Sequence, residues 1–149
     1  RAGIDIHEEI GYNFKFTDLL AVIGCEQIKK LEDRVKRKKE IYSLYEKELG
    51  GIKEIEFVPV DLSRTAPWFM DIYINNPDEL QSFLKEHKIG SRLVYPPMHS
   101  QKAYSEYNSL QFPVTEYYST RGLWLPSSSN LSDEKIKYIC DTIKKFYTR

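Results

Sequence analysis

Three histidines, His7, His87 and His99, are the side chains best suited to bind a metal or carry a proton, and they lie far apart in the sequence. None has a cysteine or carboxylate at ligand spacing to complete a coordination set, so no metal site is expected. The run Ser127-Ser128-Ser129 lacks the glycine flanks of a nucleophile elbow and has no evident base, and it reads as loop polarity. Gly50-Gly51 forms neither a phosphate-cradling loop nor a dinucleotide fingerprint. Cys25 and Cys140 both fall in helical apolar patterns and are expected to be buried free thiols, since a disulfide-built domain would carry more cysteines and space them in loops. The basic run Arg34, Lys36, Arg37, Lys38, Lys39 is flanked by Glu32, Asp33 and Glu40, which reads as a solvated helix face and not as a nucleic-acid patch. Tyrosine is plentiful, 11 of 149 residues. That would suit an aromatic surface for bases or sugars, but Tyr42 and Tyr45 lie on a helix seam, where packing explains them as well.

The elements that must position these groups are legible in part. Thr17 is a good helix N-cap, with Asp18 in the first turn where an acid complements the helix dipole. From Leu20 the apolar positions step by three and four through Gly24, Ile28, Leu31, Val35, Tyr42, Tyr45 and Leu49, interrupted by the charge of Lys38, until Gly50-Gly51 stops them. One helix over 17–49 is predicted, a rod of roughly 48 Å at about 1.5 Å per residue. A domain of this size has a radius of gyration of only about 15 Å, so the rod should overhang it. Its first turns, Leu19 to Cys25, are apolar on every side, as in a helix wedged between two bodies. Beyond it, strands are predicted over 55–58, 68–74, 92–95 and 123–125 from their β-branched and aromatic content. Asn76 and Pro77 should open a helix that Gly90 follows, and Ser132 should cap the last one. Short helical pieces are expected near 102–107 and 114–120. A small sheet covered by helices makes the fold class α+β.

Composition narrows the function classes. Lysine plus arginine number 22 and aspartate plus glutamate 22, so no net field favours nucleic acid or an anionic membrane. The longest strongly apolar run, Leu19 to Cys25, is far too short to span a bilayer, and no secretory signal pattern appears. A cytoplasmic protein is the expectation. The chain starts at Arg1-Ala2-Gly3 without a methionine, and further residues are expected to precede it.

Ordered motifs then carry a resemblance. The segment 9–24, with Gly11-Tyr12-Asn13-Phe14-Lys15-Phe16-Thr17-Asp18 running into Leu19-Leu20-Ala21-Val22-Ile23-Gly24, resembles the segment that opens the C-terminal part of the DegT/DnrJ/EryC1/StrS sugar aminotransferases. Arg37-Lys38-Lys39-Glu40-Ile41-Tyr42, Pro67-Trp68-Phe69-Met70, Gly90-Ser91-Arg92, Tyr95-Pro96-Pro97-Met98-His99 and Gly122-Leu123-Trp124-Leu125-Pro126 are similar to successive landmarks of that family. Ser91-Arg92 and Pro97-Met98-His99 look most like the perosamine-synthase branch, which aminates C4 of a GDP-linked keto sugar.

The resemblance implies the C-terminal small domain of a fold-type I aminotransferase. Residues 1–16 would lead in, 17–49 would form a long interdomain helix, and 50–149 would form the small α+β domain. It further implies pyridoxal 5'-phosphate as cofactor, glutamate as amino donor, a nucleotide-linked keto sugar as substrate and a homodimer. The Schiff-base lysine and the acid facing the pyridine nitrogen would lie upstream, so this chain alone would not transaminate. By position, Asn13 matches the family's asparagine that crosses the dimer interface to the partner's cofactor phosphate. A neutral carboxamide can donate there without adding a charge; the plainer alternative is a turn residue before the helix. Lys15 stands where arginine is frequent, so a bidentate substrate contact would become a single-point one. Arg92 is the candidate contact to a diphosphate or sugar hydroxyl, against an exposed strand charge, and His99 beside Pro96-Pro97 is placed at the mouth of the site. The rival reading is a non-catalytic interaction or regulatory module of the same fold.

Overall fold

A computed structural model describes residues 8–12 and 16–149. Helix α1 spans Asp18–Ile28 and α2 Leu31–Leu49; strand β1 spans Met70–Tyr73, helix α3 Pro77–Glu86 and strand β2 Arg92–Leu93. Two 3-10 turns, Met98–Ser100 and Lys102–Tyr107, lead to α4, Pro113–Ser119, then β3, Gly122–Leu125, and α5, Asp133–Tyr147. The sheet is antiparallel with order β1-β3-β2.

Strand alternation sorts the two faces of this sheet. Met70 and Ile72 of β1 and Leu123 and Leu125 of β3 face the core, where they meet Ile41, Tyr45 and Leu49 of α2, Leu80 and Leu84 of α3, and Ile136, Ile139 and Ile143 of α5. Three helices therefore cover one face. The phenol of Tyr45, fully buried, donates to the Pro126 carbonyl at 2.9 Å, and Tyr42 donates to the Val58 carbonyl at 3.0 Å, so neither seam tyrosine leaves its hydroxyl unsatisfied in the interior. Burial raises the pKa of both phenols.

The single helix expected over 17–49 is two helices. They meet at Lys29 and Lys30, where the Lys30 N–H donates to the Gln27 carbonyl, three residues back, at 3.1 Å. No proline or glycine marks the joint, so the apolar period runs through it unchanged in the sequence. The Thr17 hydroxyl accepts from the Leu20 N–H at 3.4 Å, as expected of the N-cap. α1 has no buried residue: Leu19 is 73% exposed, Val22 65% and Ile28 68%. Cys25, expected to be buried, is exposed on this helix, because α1 packs on nothing within the described residues that would cover it. Cys140 is buried as expected, its thiol pushed up to about 12 by burial, which keeps it protonated and inert.

The strand expected over 123–125 is found over Gly122–Leu125, and the other three expected strands are shorter than their runs. Segment 55–58 keeps one bridge, Glu56 with Tyr73, whose N–H groups and carbonyls exchange two bonds of 2.9 Å. Pro59 follows and has no N–H to continue a ladder. The strand over 68–74 is regular only over 70–73, and that over 92–95 only over 92–93, each with one further bond, from the Ile74 N–H to the Arg121 carbonyl at 2.9 Å and from the Val94 N–H to the Gly122 carbonyl at 3.0 Å. Helix α3 begins at Pro77 as predicted, though the Asn76 side chain makes no capping bond. At its C-terminus Lys88, not Gly90, takes the positive φ of 60°.

Candidate functional site

The outer face of the sheet, opposite the helices, collects polar and aromatic side chains in one row. Asp71 of β1 pairs with Trp124 of β3, and Trp124 pairs with Arg92 of β2. Directly paired residues share a face. Trp124 is 9% exposed because Phe69 lies flat on it, ring centroids 4.0 Å apart and planes within 7°, while Tyr95 meets it edge-on at 4.8 Å. The Arg92 guanidinium carbon is 4.7 Å from the Tyr95 ring centroid and 5.7 Å from that of Trp124, within cation–π range of both. A planar cation set against aromatic faces is a group suited to bind phosphate or a sugar hydroxyl.

Asp71 differs from its neighbours. Its Oδ1 is buried with no hydrogen-bond partner among the described residues, and burial raises the pKa of its carboxyl. Beyond Asp71 on the same face of β1, Tyr73 packs against a tyrosine of α4. Tyr118 meets Tyr73 edge-on at 4.7 Å and donates to Glu56 Oε1 at 3.0 Å, and Arg121 lies over Tyr117, 4.7 Å from its centroid. These rings pack on the protein itself, which accounts for part of the tyrosine excess.

His99 belongs to a different group of partners. Its Nε2 is 3.3 Å from Glu116 Oε1, and its ring is 4.9 Å from that of Phe112. The glutamate oxygen also accepts from the Phe112 N–H at 3.1 Å, which fixes the carboxylate beside the imidazole. Together with Met98, Tyr104, Tyr107, Leu110, Phe112 and Thr115, His99 lines a mostly apolar cavity of about 380 Å³. Arg92 and His99 thus flank Tyr95-Pro96-Pro97 in sequence but engage separate partners. Asn13 and Lys15, the other two candidates, lie outside the described residues. Among the described residues, no histidine, cysteine and carboxylate cluster could hold a metal ion.

Two residues of the basic run do structural work that the solvated-face reading misses. Arg37 bonds Asp133 Oδ1 and the Leu131 carbonyl, each at 2.6 Å, and Glu40 at 3.2 Å, tying α2 to the start of α5. Its acidic neighbours, Asp133 first, hold its pKa above the ordinary arginine value. Lys38, the charge that interrupts the apolar seam, donates to the Trp68 carbonyl at 2.6 Å and to Ser127 Oγ at 3.2 Å. The interruption itself was the signal: a lysine on a buried stripe needs acceptors.

The chain matches the DegT/DnrJ/EryC1/StrS aminotransferase family over residues 3–144, nearly its whole length. The chain belongs to this family. It is 33% identical over 145 residues to GDP-perosamine synthase of Escherichia coli O157:H7, covering 95% of this chain and 39% of that protein. To GDP-perosamine synthase of Vibrio cholerae it is 30% identical over 147 residues, covering 95% and 40%. The fold is similar to that of part of the sugar aminotransferase CalS13 from Micromonospora echinospora, with a TM-score of 0.80 at 19% identity over 91% of this chain and 37% of that one. The chain spans about two fifths of the length of the curated relatives it matches.

Pyridoxal phosphate is the cofactor of this family of aminotransferases. Lys38 is half-buried and burial lowers its pKa, while its ammonium donates to the Trp68 carbonyl and to Ser127 Oγ. No helix among the described residues is long and apolar enough to cross a membrane.

Proposed function

We propose that the whole protein is a pyridoxal phosphate-dependent aminotransferase that converts a nucleotide-linked keto sugar to an amino sugar, with glutamate as donor and a GDP-linked 4-keto hexose as the preferred substrate class. This chain is its C-terminal small domain of the fold-type I arrangement, and α1 with α2 leads into it from a larger catalytic body. The observation that carries the reading is α1, whose turns from Leu19 to Cys25 are apolar on every side and which has no buried residue, in a chain that spans about two fifths of its relatives' length. An apolar helix left in water would lose about 25 cal/mol for each Å² it could otherwise bury, so a second surface covering it is favoured.

The roles divide accordingly. The cofactor serves as electron sink between the two half-reactions, and the lysine that holds it belongs to the upstream part. In this chain, Asn13 donates its carboxamide N–H to the cofactor phosphate of the partner subunit in a cytoplasmic homodimer, Lys15 gives a single-point substrate contact, Arg92 binds the nucleotide diphosphate or a sugar hydroxyl, and His99 stands at the mouth of the site. The test is to incubate the full-length protein with pyridoxal phosphate, glutamate and a GDP-linked 4-keto hexose and follow 2-oxoglutarate and the amino sugar. Conversion by the full-length protein and none by the 149-residue chain is expected. A full-length protein that turns over no member of a panel of nucleotide keto sugars would overturn the reading.

A further inference from the structure

We infer that Tyr95 and Trp124 are positioning residues that hold the Arg92 guanidinium in place for an anionic ligand, the diphosphate of the nucleotide sugar; this rests on the reading of Arg92 as a substrate contact given above. The geometry begins with where β2 stops. On a strand running through residue 95, Arg92 and Tyr95 would be three apart and point to opposite faces, since side chains alternate with a period of two. The regular strand instead ends at Leu93, with one last bond from the Val94 N–H to the Gly122 carbonyl at 3.0 Å, and Tyr95, which a proline follows and so disposes to extended backbone, brings its ring beside Arg92. The ring meets the guanidinium 4.7 Å from its centroid and at the same time meets Trp124 edge-on at 4.8 Å. Trp124 is held in turn by Phe69, stacked flat on it at 4.0 Å.

The result is a chain of ring contacts, Phe69 to Trp124 to Tyr95, ending on a cation whose π face is engaged. Stacking engages the face of the guanidinium and orients the plane whose rim carries the N–H donors. An arginine oriented in this way has less rotamer freedom to lose on binding, so a ligand bound by it is held more tightly than by the same arginine on a bare strand. The rings touch Arg92 and are not assigned any contact with the sugar.

The experiment uses the full-length protein, with GDP, dTDP and UDP as probes in calorimetric titrations and the tightest of them carried into the variants. Arg92→Ala should weaken that nucleotide tenfold or more. Tyr95→Leu and Trp124→Leu should each weaken it roughly three- to thirtyfold, raising KM for the nucleotide sugar while kcat stays near that of the parent. In the Arg92→Ala background neither should add a further loss, which a merely structural role would not produce. Failure of all three nucleotides to bind the parent, or wild-type affinity in Arg92→Ala, overturns the substrate reading and the inference with it. Loss in Arg92→Ala with wild-type affinity in Tyr95→Leu, or with additive loss in the double variant, overturns the positioning role alone. Trp124 is buried and its replacement can impair folding, so Tyr95→Leu, at a residue 44% exposed, decides the matter in that event.

Discussion

Asp71 pairs with Trp124 across the antiparallel β1–β3 ladder, so its carboxyl lies beside an indole on the outer face of the sheet, with Oδ1 buried and unpartnered among the described residues. Burial raises its folded-state pKa above the unfolded value. For an acid shifted in this direction the folded state binds the proton more readily than the unfolded one. The ionised carboxylate therefore costs stability above its folded pKa, and the cost disappears as pH falls below the unfolded value of about 3.9. Asp71→Asn should stabilise the protein at neutral pH, and the advantage should shrink steadily toward pH 3. Melting temperatures of the two proteins across that range provide the check; an advantage independent of pH would mean that the carboxyl is not paying for its burial.

Gly122 allows β3 to pass close to its neighbours. A Cβ built there would lie 2.8 Å from Val94 Cβ and 3.1 Å from the Tyr118 carbonyl oxygen, the second of which is backbone and cannot swing aside. Gly122→Ala should destabilise by about 1–3 kcal/mol, the usual cost of forcing a methyl into a packed site. Chemical denaturation with an unchanged m-value would separate this from a change in the unfolded state.

Helix α3 closes with the Ile89 N–H on the Leu84 carbonyl at 2.9 Å and Lys88 at φ 60°, the position that glycine fills most readily. Lys88→Gly should stabilise by roughly 0.5–1 kcal/mol, the relief of the left-handed strain offset in part by the greater freedom of glycine when unfolded. A neutral or lower melting temperature would show that the lysine side chain contributes more than its backbone strain costs.

Asn13→Ala in the full-length protein should leave the fold intact and weaken retention of pyridoxal phosphate. Loss of a donor to a charged acceptor amounts to about 1.5–3 kcal/mol, or roughly ten- to a hundredfold in affinity. Absorbance titration with the cofactor measures it directly, and unchanged affinity would remove Asn13 from the proposed phosphate site.

Local chemistry, readable one residue after another, accounts for what the sequence by itself determined: the α+β class, the cap of Thr17 on α1, the Ser132 hydroxyl accepting from the Lys135 N–H at the start of α5, and membership of the aminotransferase family through motifs in consistent order. Three of the four expected strands were also legible, because β-branched and aromatic runs mark them, but their lengths were not, and the run at 55–58 keeps only a single bridge. Pairing partners decide where a strand ends, and those partners lie far away in the sequence, as when β2 is regular only over Arg92 and Leu93 against β3 and makes its last bond there from the Val94 N–H to the Gly122 carbonyl. The joint at Lys29 and Lys30 was hidden for a related reason: neither residue is a helix breaker, and the apolar period does not register a change of axis. Likewise the tertiary structure alone decided that Arg92 would rest against Tyr95 and Trp124. That contact depends on a strand ending two residues early and on a cross-strand register, and neither is a property of any one stretch of chain.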